Sequence, residues 1–320
     1  MKILWLTNNR TRQVLDSFTC LREALASRCE VKSIIRPLEE LEVDLCRKAC
    51  DGMPLPLLVD PDEANAYDWI VCDAPWSFLS ENWSAIATKK AVIWADHHGK
   101  MVAQYLGRFF HEFKFDLYLP LYRDGAAAIH SYIPAQQRVW LPVWVNTAEF
   151  RDWQLHKKYE VLLTGAVHPV VYQLRYEVWE QCNGKPWFTR IERPHYEFDA
   201  PALGRWPLGA DFGRVLNSAH ICVTCTSRFG YPIGKVFEIP ACRSVLACDW
   251  CPEMRELGFS PFRNFLPLDI GGDQAKILSE YLERKDLQGI ADAGYHLINT
   301  RHTAAVRAED LLAILEDRHG

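Results

Sequence analysis

Short apolar runs recur along this chain at intervals of helical length, and that alternation predicts the fold class. In the first half the runs are residues 2–7, 30–35, 67–73, 91–96, 116–119 and 138–141. Each is too short for a buried helix and long enough for a strand buried on both faces. Residues 12–28 and 37–50 carry helix-like patterns, and 52–61 is a loop punctuated by prolines. The second half repeats the logic: strand 159–164, a GAVHP loop, helix 170–182, strand 187–191, an irregular region to Pro207, and helix 210–218. Strands follow at 220–224, 244–248 and near 265–268, then helical segments at 273–283, 287–300 and 303–317. Strand and helix in alternation predict an α/β chain of doubly wound parallel sheets. The irregular polar stretch 141–160 reads as a linker. It divides the chain into domains at 1–145 and 146–320, and 320 residues suffice for two cores.

Composition removes several function classes. A net charge of −5 gives no electrostatic footprint for nucleic acid, so no nucleic-acid partner is expected. No run approaches the ~18 apolar residues of a membrane span, so no transmembrane segment is expected either. The opening MKILWLTNNRTR has too short an apolar run for a secretion signal, so a cytoplasmic location, free or peripheral to the inner membrane face, is expected. Eleven cysteines, an odd number in apolar contexts such as IVCDA and HICVT, fit reduced core residues. The turn after the first run reads TNNRTRQ without a glycine, so no dinucleotide fingerprint opens the chain.

Three patterns bear on chemistry. Cys222-x2-Cys225 and Cys248-x2-Cys251 have the spacing of a structural zinc site. They fall in or at the end of apolar strands, however, where adjacent strands bring cysteines together without metal. Asp60-Pro-Asp62 matches a DxD metal–nucleotide pattern, yet it sits in a proline-rich loop and reads as a turn. The run 91–96 ends in Asp-His-His-Gly, placing Asp96, His97 and His98 at the carboxyl edge of the first sheet, where ligands bind. The alternative is that Asp96 caps a helix starting near Gly99 and the histidines lie on the surface.

The most informative stretch is 226–256, TSRFGYPIGKVFEIPACRSVLACDWCPEMRE. A helix beginning near Pro232 would aim its free backbone N–H groups beyond the sheet edge, with Lys235 and Glu238 on one face. A cation and an acceptor there suit a nucleoside diphosphate, Lys235 on phosphate and Glu238 on ribose hydroxyls. The same spacing also makes a simple intrahelical ion pair.

KVFEIPACRSVLACD resembles the signature of GT-B glycosyltransferases, in particular the CgeB-like branch. The large retaining family carries a Glu-x7-Glu motif before an Ala-Cys-Gly segment. Glu238 matches the second glutamate, which binds the nucleotide ribose. The first falls on Gly230, and Arg243 replaces the usual glycine after Ala-Cys. KKYEVLLTGAVHPVVYQLRYEVW is similar to the first strand, glycine turn and Arg-containing helix of the family's donor domain, and HTAAVRAEDLL to its closing helix.

The resemblance implies two Rossmann-like domains facing across a cleft, an N-terminal acceptor domain and a C-terminal donor domain, with the final helix packing on the former. It implies donor contacts at Glu238, Lys235, Arg175 and Gly165, joined by Arg228 and Tyr231. It also implies transfer of a sugar from a UDP- or GDP-sugar without a metal or other cofactor, protein groups meeting the leaving-group charge. The acceptor would be a glycan, a lipid-linked or a small molecule, in polysaccharide or glycoconjugate biosynthesis. An inverting reaction would draw its base from Asp96, His97 or His98; in a retaining one the leaving phosphate assists and these residues orient the sugar. A sugar-nucleotide epimerase and a non-catalytic nucleotide-sugar-binding protein are the alternatives.

Overall fold

The computed structural model describes residues 1–8, 17–36, 59–73, 81–94, 107, 109–124, 132–192 and 207–318. The chain divides into two compact units, Met1–Pro142 with Ala304–Gly320, and Val143–Thr303.

In the first unit, β1 (Lys2–Asn8), β2 (Glu30–Arg36), β3 (Trp69–Cys72), β4 (Lys89–Trp94) and β5 (Leu117–Pro120) form one sheet in the order β2-β1-β3-β4-β5. Every pairing is parallel. Ile3, Leu4, Trp5 and Leu6 are all fully buried, as expected of a strand covered on both faces. Helix α1 (Ser17–Ala26) follows β1, and α2 (Pro61–Ala64) precedes β3. The C-terminal helix α9 (Ala304–Asp317) packs on α1. Trp69 Nε1 donates to Leu315 O at 3.2 Å, and Arg28 pairs with Glu309 at 2.8 Å.

Two expectations change here. Residues 138–141 do not form a sixth strand: Val139 and Leu141 donate to Tyr118 and Pro120, but Arg138 supplies only an isolated bridge. Asp60-Pro-Asp62 is a helix start rather than a free turn. Asp60 is the N-cap of α2, accepting from Asp62 N at 2.9 Å, with Pro61 at the first helical position. The helix expected at 37–50 lies outside the described residues.

In the second unit, β6 (Tyr159–Thr164), β7 (Phe188–Ile191), β8 (Ala219–Val223), β9 (Val245–Cys248) and the two-residue β10 (Leu266–Pro267) form a second parallel sheet, ordered β10-β9-β8-β6-β7. Its helices are α3 (Gln173–Cys182), α4 (Gly209–Asn217), α5 (Gly234–Ala241), α6 (Pro252–Glu256), α7 (Gln274–Leu282) and α8 (Leu287–Arg301). Leu174 and Val178 of α3 pack with Val161, Leu163, Ile221 and Val245 in its core.

Counted within each unit, both sheets have the strand order 2-1-3-4-5. In that arrangement the chain winds outward in opposite directions from the first and third strands. Their carboxyl ends therefore open a crevice that no crossover covers. The crevice lies at β1/β3 in the first unit and at β6/β8 in the second.

Candidate functional site

The carboxyl end of β6 runs into Gly165, whose φ of +92° is open to glycine and strained for other residues. The missing side chain matters as much as the backbone. A Cβ on Gly165 would lie 2.7 Å from Arg175 Nη1, and Lys235 Nζ would be closer still. Two cationic side chains, one from α3 and one from α5, thus converge over the switch point of the second sheet. Lys235 Nζ donates to Thr164 O at 3.0 Å and lies 5.6 Å from the Phe212 ring centroid.

Arg175 is 3% exposed. Its Nε donates to Cys225 Sγ at 3.2 Å and its guanidinium lies 3.6 Å from the Tyr172 ring centroid. Among the described residues no carboxylate forms an ion pair with it. A buried guanidinium ordinarily has an anionic partner, because desolvating it otherwise costs several kcal/mol. Two like charges converging on one point also repel. The arrangement calls for an anion.

Helix α5 supplies further donors. Its N-cap, Ile233, has no side-chain acceptor for the first-turn N–H groups, which carry the positive end of the helix dipole. Glu238 Oε1 sits 3.2 Å from where a Cβ on Gly234 would be. Its carboxylate therefore reaches back toward that same helix start, as side chains on a helix do.

The loop after β8 completes the edge. Tyr231 N donates to Thr226 O at 3.1 Å and Gly230 N to Ser227 O at 3.2 Å, closing a compact turn. Arg228 N donates to Val171 O at 2.9 Å, tying this turn to the β6–α3 loop. Arg228 is exposed with its guanidinium 4.8 Å from the Phe229 ring, whereas Tyr231 is buried and stacks on Phe229 at 5.9 Å. Gly165, Arg175, Lys235, Glu238, Arg228 and Tyr231 all belong to elements ending at this edge. Asp96, His97 and His98 lie outside the described residues.

The sequence pattern does not single out Asp249. It follows β9 directly, accepting from Thr226 N at 2.7 Å and from Thr226 Oγ1 at 2.6 Å. Burial pushes its carboxyl up, while the bonds from Thr226 and the Arg175 charge pull it down. An aspartate one residue beyond an apolar strand was the available signal. The pairing of β8 with β9, which brings it to Thr226, was not in the local sequence.

The four CxxC cysteines are buried free thiols. Burial pushes the Cys222 thiol up to about 12 and raises those of Cys225 and Cys248 as well, the opposite of thiolate formation. Among the described residues no three His, Cys, Asp or Glu side chains come together to hold a metal ion, and no helix is long and apolar enough to cross a membrane.

Residues 166–313 match a family model described as glycosyl transferase-like, which covers somewhat less than half of the chain. None of the curated proteins compared matches it. Among solved structures, the chain is similar to Alr3699/HepE from Anabaena in complex with UDP-glucose, with a TM-score of 0.68 at 13% identity, covering 99% of this chain and 100% of that one. Sucrose-phosphate synthase from Thermosynechococcus elongatus gives 0.63 at 10% identity, covering 99% of each chain. A glycosyltransferase from Rickettsia africae gives 0.61 at 10%, covering 99% of this chain and 98% of that one. At these identities the likeness is one of fold: α/β, with two parallel-sheet Rossmann-like domains of the GT-B type.

Proposed function

We propose that this protein is a glycosyltransferase that moves a hexosyl group from a nucleoside-diphosphate sugar to an acceptor hydroxyl. The reading rests on one observation above all: Arg175, buried and without a carboxylate partner among the described residues, converges with Lys235 over Gly165 at the switch point of the second sheet. The donor's diphosphate is the anion that this convergence calls for. In this reading Lys235 and Arg175 meet its charge, joined by the first-turn N–H groups of α5. Glu238 accepts from the ribose hydroxyls, with Gly165, Arg228 and Tyr231 lining the same donor site.

As the glycosidic bond breaks, negative charge grows on the departing diphosphate. Groups already oriented toward that position stabilise it with little reorganisation. Protein cations supply this stabilisation in the proposed mechanism, without a metal ion. The solved complexes of Alr3699/HepE with UDP and with UDP-glucose, proteins of the same fold, favour a UDP-sugar over a GDP-sugar as the donor class. The acceptor, a glycan, a lipid-linked or a small molecule, belongs to the N-terminal domain, where Asp96, His97 and His98 orient it or accept its proton. Work in the cytoplasm or at the inner membrane face, in polysaccharide or glycoconjugate biosynthesis, is part of the same proposal.

Calorimetric titration with UDP and GDP tests the donor site. Wild type should bind one of them, and Lys235→Ala and Glu238→Ala should each weaken that binding about tenfold, near 1.4 kcal/mol. Unchanged affinity in both variants would leave Lys235 and Glu238 as surface residues of a helix and nothing more. Nucleotide release from a UDP-sugar only when acceptor is supplied would separate a transferase from an epimerase or a binding protein.

A further inference from the structure

We infer that Asp249 is a positioning residue of the donor site, its carboxylate clamping Thr226 so that the loop 226–231 is held against the phosphate-binding edge. The inference rests on the donor-site reading above and adds to it a residue that contacts no ligand.

The geometry is specific. Both donors of one residue, Thr226 N and Oγ1, are taken by the two oxygens of one carboxylate at 2.7 and 2.6 Å. Bonds to an ionised acceptor at such distances are about twice as strong as neutral ones. Thr226 is itself 2% exposed, so water does not compete for it. The residue so held is also the one that closes the turn, because its carbonyl accepts from Tyr231 N.

The turn needs such a hold. Ser227 and Gly230 have φ of +61° and +67°. The left-handed serine persists only where its surroundings over-determine it. Asp249 fixes one end of the turn from β9, and the Arg228 N to Val171 O bond fixes its middle to the loop that follows Gly165. A displacement at Thr226 would therefore reach Arg228, Tyr231 and the β6–α3 loop together. The partial offset of the Arg175 charge by the same carboxylate is a second effect, felt before an anion arrives.

The test uses the full chain and UDP and GDP as probes, with calorimetric Kd and thermal unfolding recorded for wild type, D249N, T226V and T226S. T226S keeps both donors and should bind nucleotide within about twofold of wild type. D249N and T226V should each bind at least tenfold more weakly, and the double variant D249N/T226V no more weakly than the worse single one. Amide exchange gives an independent reading on folded protein: residues 226–231 should exchange at least tenfold faster in D249N. Wild-type affinity and wild-type exchange in D249N would overturn the inference, as would T226S failing as badly as T226V. Wild type binding neither nucleotide would overturn the donor-site reading as well, which distinguishes the two failures.

Discussion

Replacing Asp73 by asparagine tests how the switch point of the first sheet is built. The carboxylate follows β3 and its side chain is fully buried. Trp5 Nε1 donates to Oδ2 at 2.9 Å, Thr7 donates a further bond, and Arg22 Nη1 stands 3.9 Å away. Oδ1 is buried with no hydrogen-bond partner among the described residues. Burial dominates these contacts and pushes the carboxyl up from 3.8 to about 6. That gap corresponds to about 3 kcal/mol against ionisation in the folded state. Between the two values the folded chain holds a proton that the unfolded chain has lost, so this contribution to stability is complete below pH ~4 and declines as pH rises through 6. From pH 5 to pH 8 the loss comes to about 1.5 kcal/mol, or roughly 3–6 °C in the melting temperature of a unit this size. An asparagine side chain would keep the shape and an acceptor for Trp5 but could not ionise. Urea unfolding of the N-terminal unit at pH 5, 6, 7 and 8 should therefore show Asp73→Asn gaining on wild type by about 1.5 kcal/mol across the range. Parallel pH profiles would refute the reasoning. A wild type gaining on the variant as pH rises would mean that Arg22 and the hydrogen bonds outweigh burial.

Two further substitutions probe the second unit. Gly165→Ala would force a side chain into the space of Lys235 and Arg175 at φ +92°; UDP affinity should fall at least tenfold and stability by about 1–2 kcal/mol, read by titration and thermal unfolding. Arg243, left-handed at φ +52°, bridges Asp152 at 3.0 Å and Asp292 at 2.7 Å with its side chain 41% exposed, so each pair is worth at most about 1 kcal/mol. Arg243→Ala should cost about 1 kcal/mol at pH 7, while Arg243→Gly relieves the backbone and should stay within roughly 0.5 kcal/mol of wild type. The Arg243 bond holds the Asp292 carboxyl low; at Asp152 burial opposes ionisation, but Arg243, Gln154 and Asn217 outweigh it. Both pairs then contribute above the unfolded value of 3.8 and are lost as pH falls through the depressed native values, so the alanine deficit should shrink in melts taken near pH 3.

What could be read beforehand divides by range. The strand 159–164 was legible to the residue, because VLLT is an apolar run flanked by charge and glycine. The doubly wound class followed from the same local alternation. Residues 138–141 misled, since an apolar run can lie along a strand with two backbone bonds and still form only an isolated bridge. Lys235 and Glu238 were singled out by helical spacing, which is local information, and remain part of the proposal. The Arg175–Cys225 contact spans 50 residues, and the Asp249–Thr226 clamp depends on which strands are neighbours. Neither could be found from spacing alone.

The two sheets share one topology but differ in the described side chains beside the ends of their first and third strands, so the ligand chemistry cannot come from the fold. At β6/β8 cations converge where a Cβ would be; at β1/β3 a carboxylate is sealed beneath the edge against Trp5, Thr7 and Arg22. The first arrangement suits an anion, while the second is a buried carboxylate held by Trp5 and Thr7. The same separation of backbone from chemistry explains Gly230. In the family this sequence resembles, a glutamate stands there, yet a Cβ on Gly230 would meet no described atom within 4 Å. Sterics do not exclude a larger residue; the cost would be backbone strain at φ +67°, about 1 kcal/mol. A cost that small is one that a useful hydrogen bond to a sugar hydroxyl offsets. In the proposed enzyme no carboxylate at this position holds the transferred sugar.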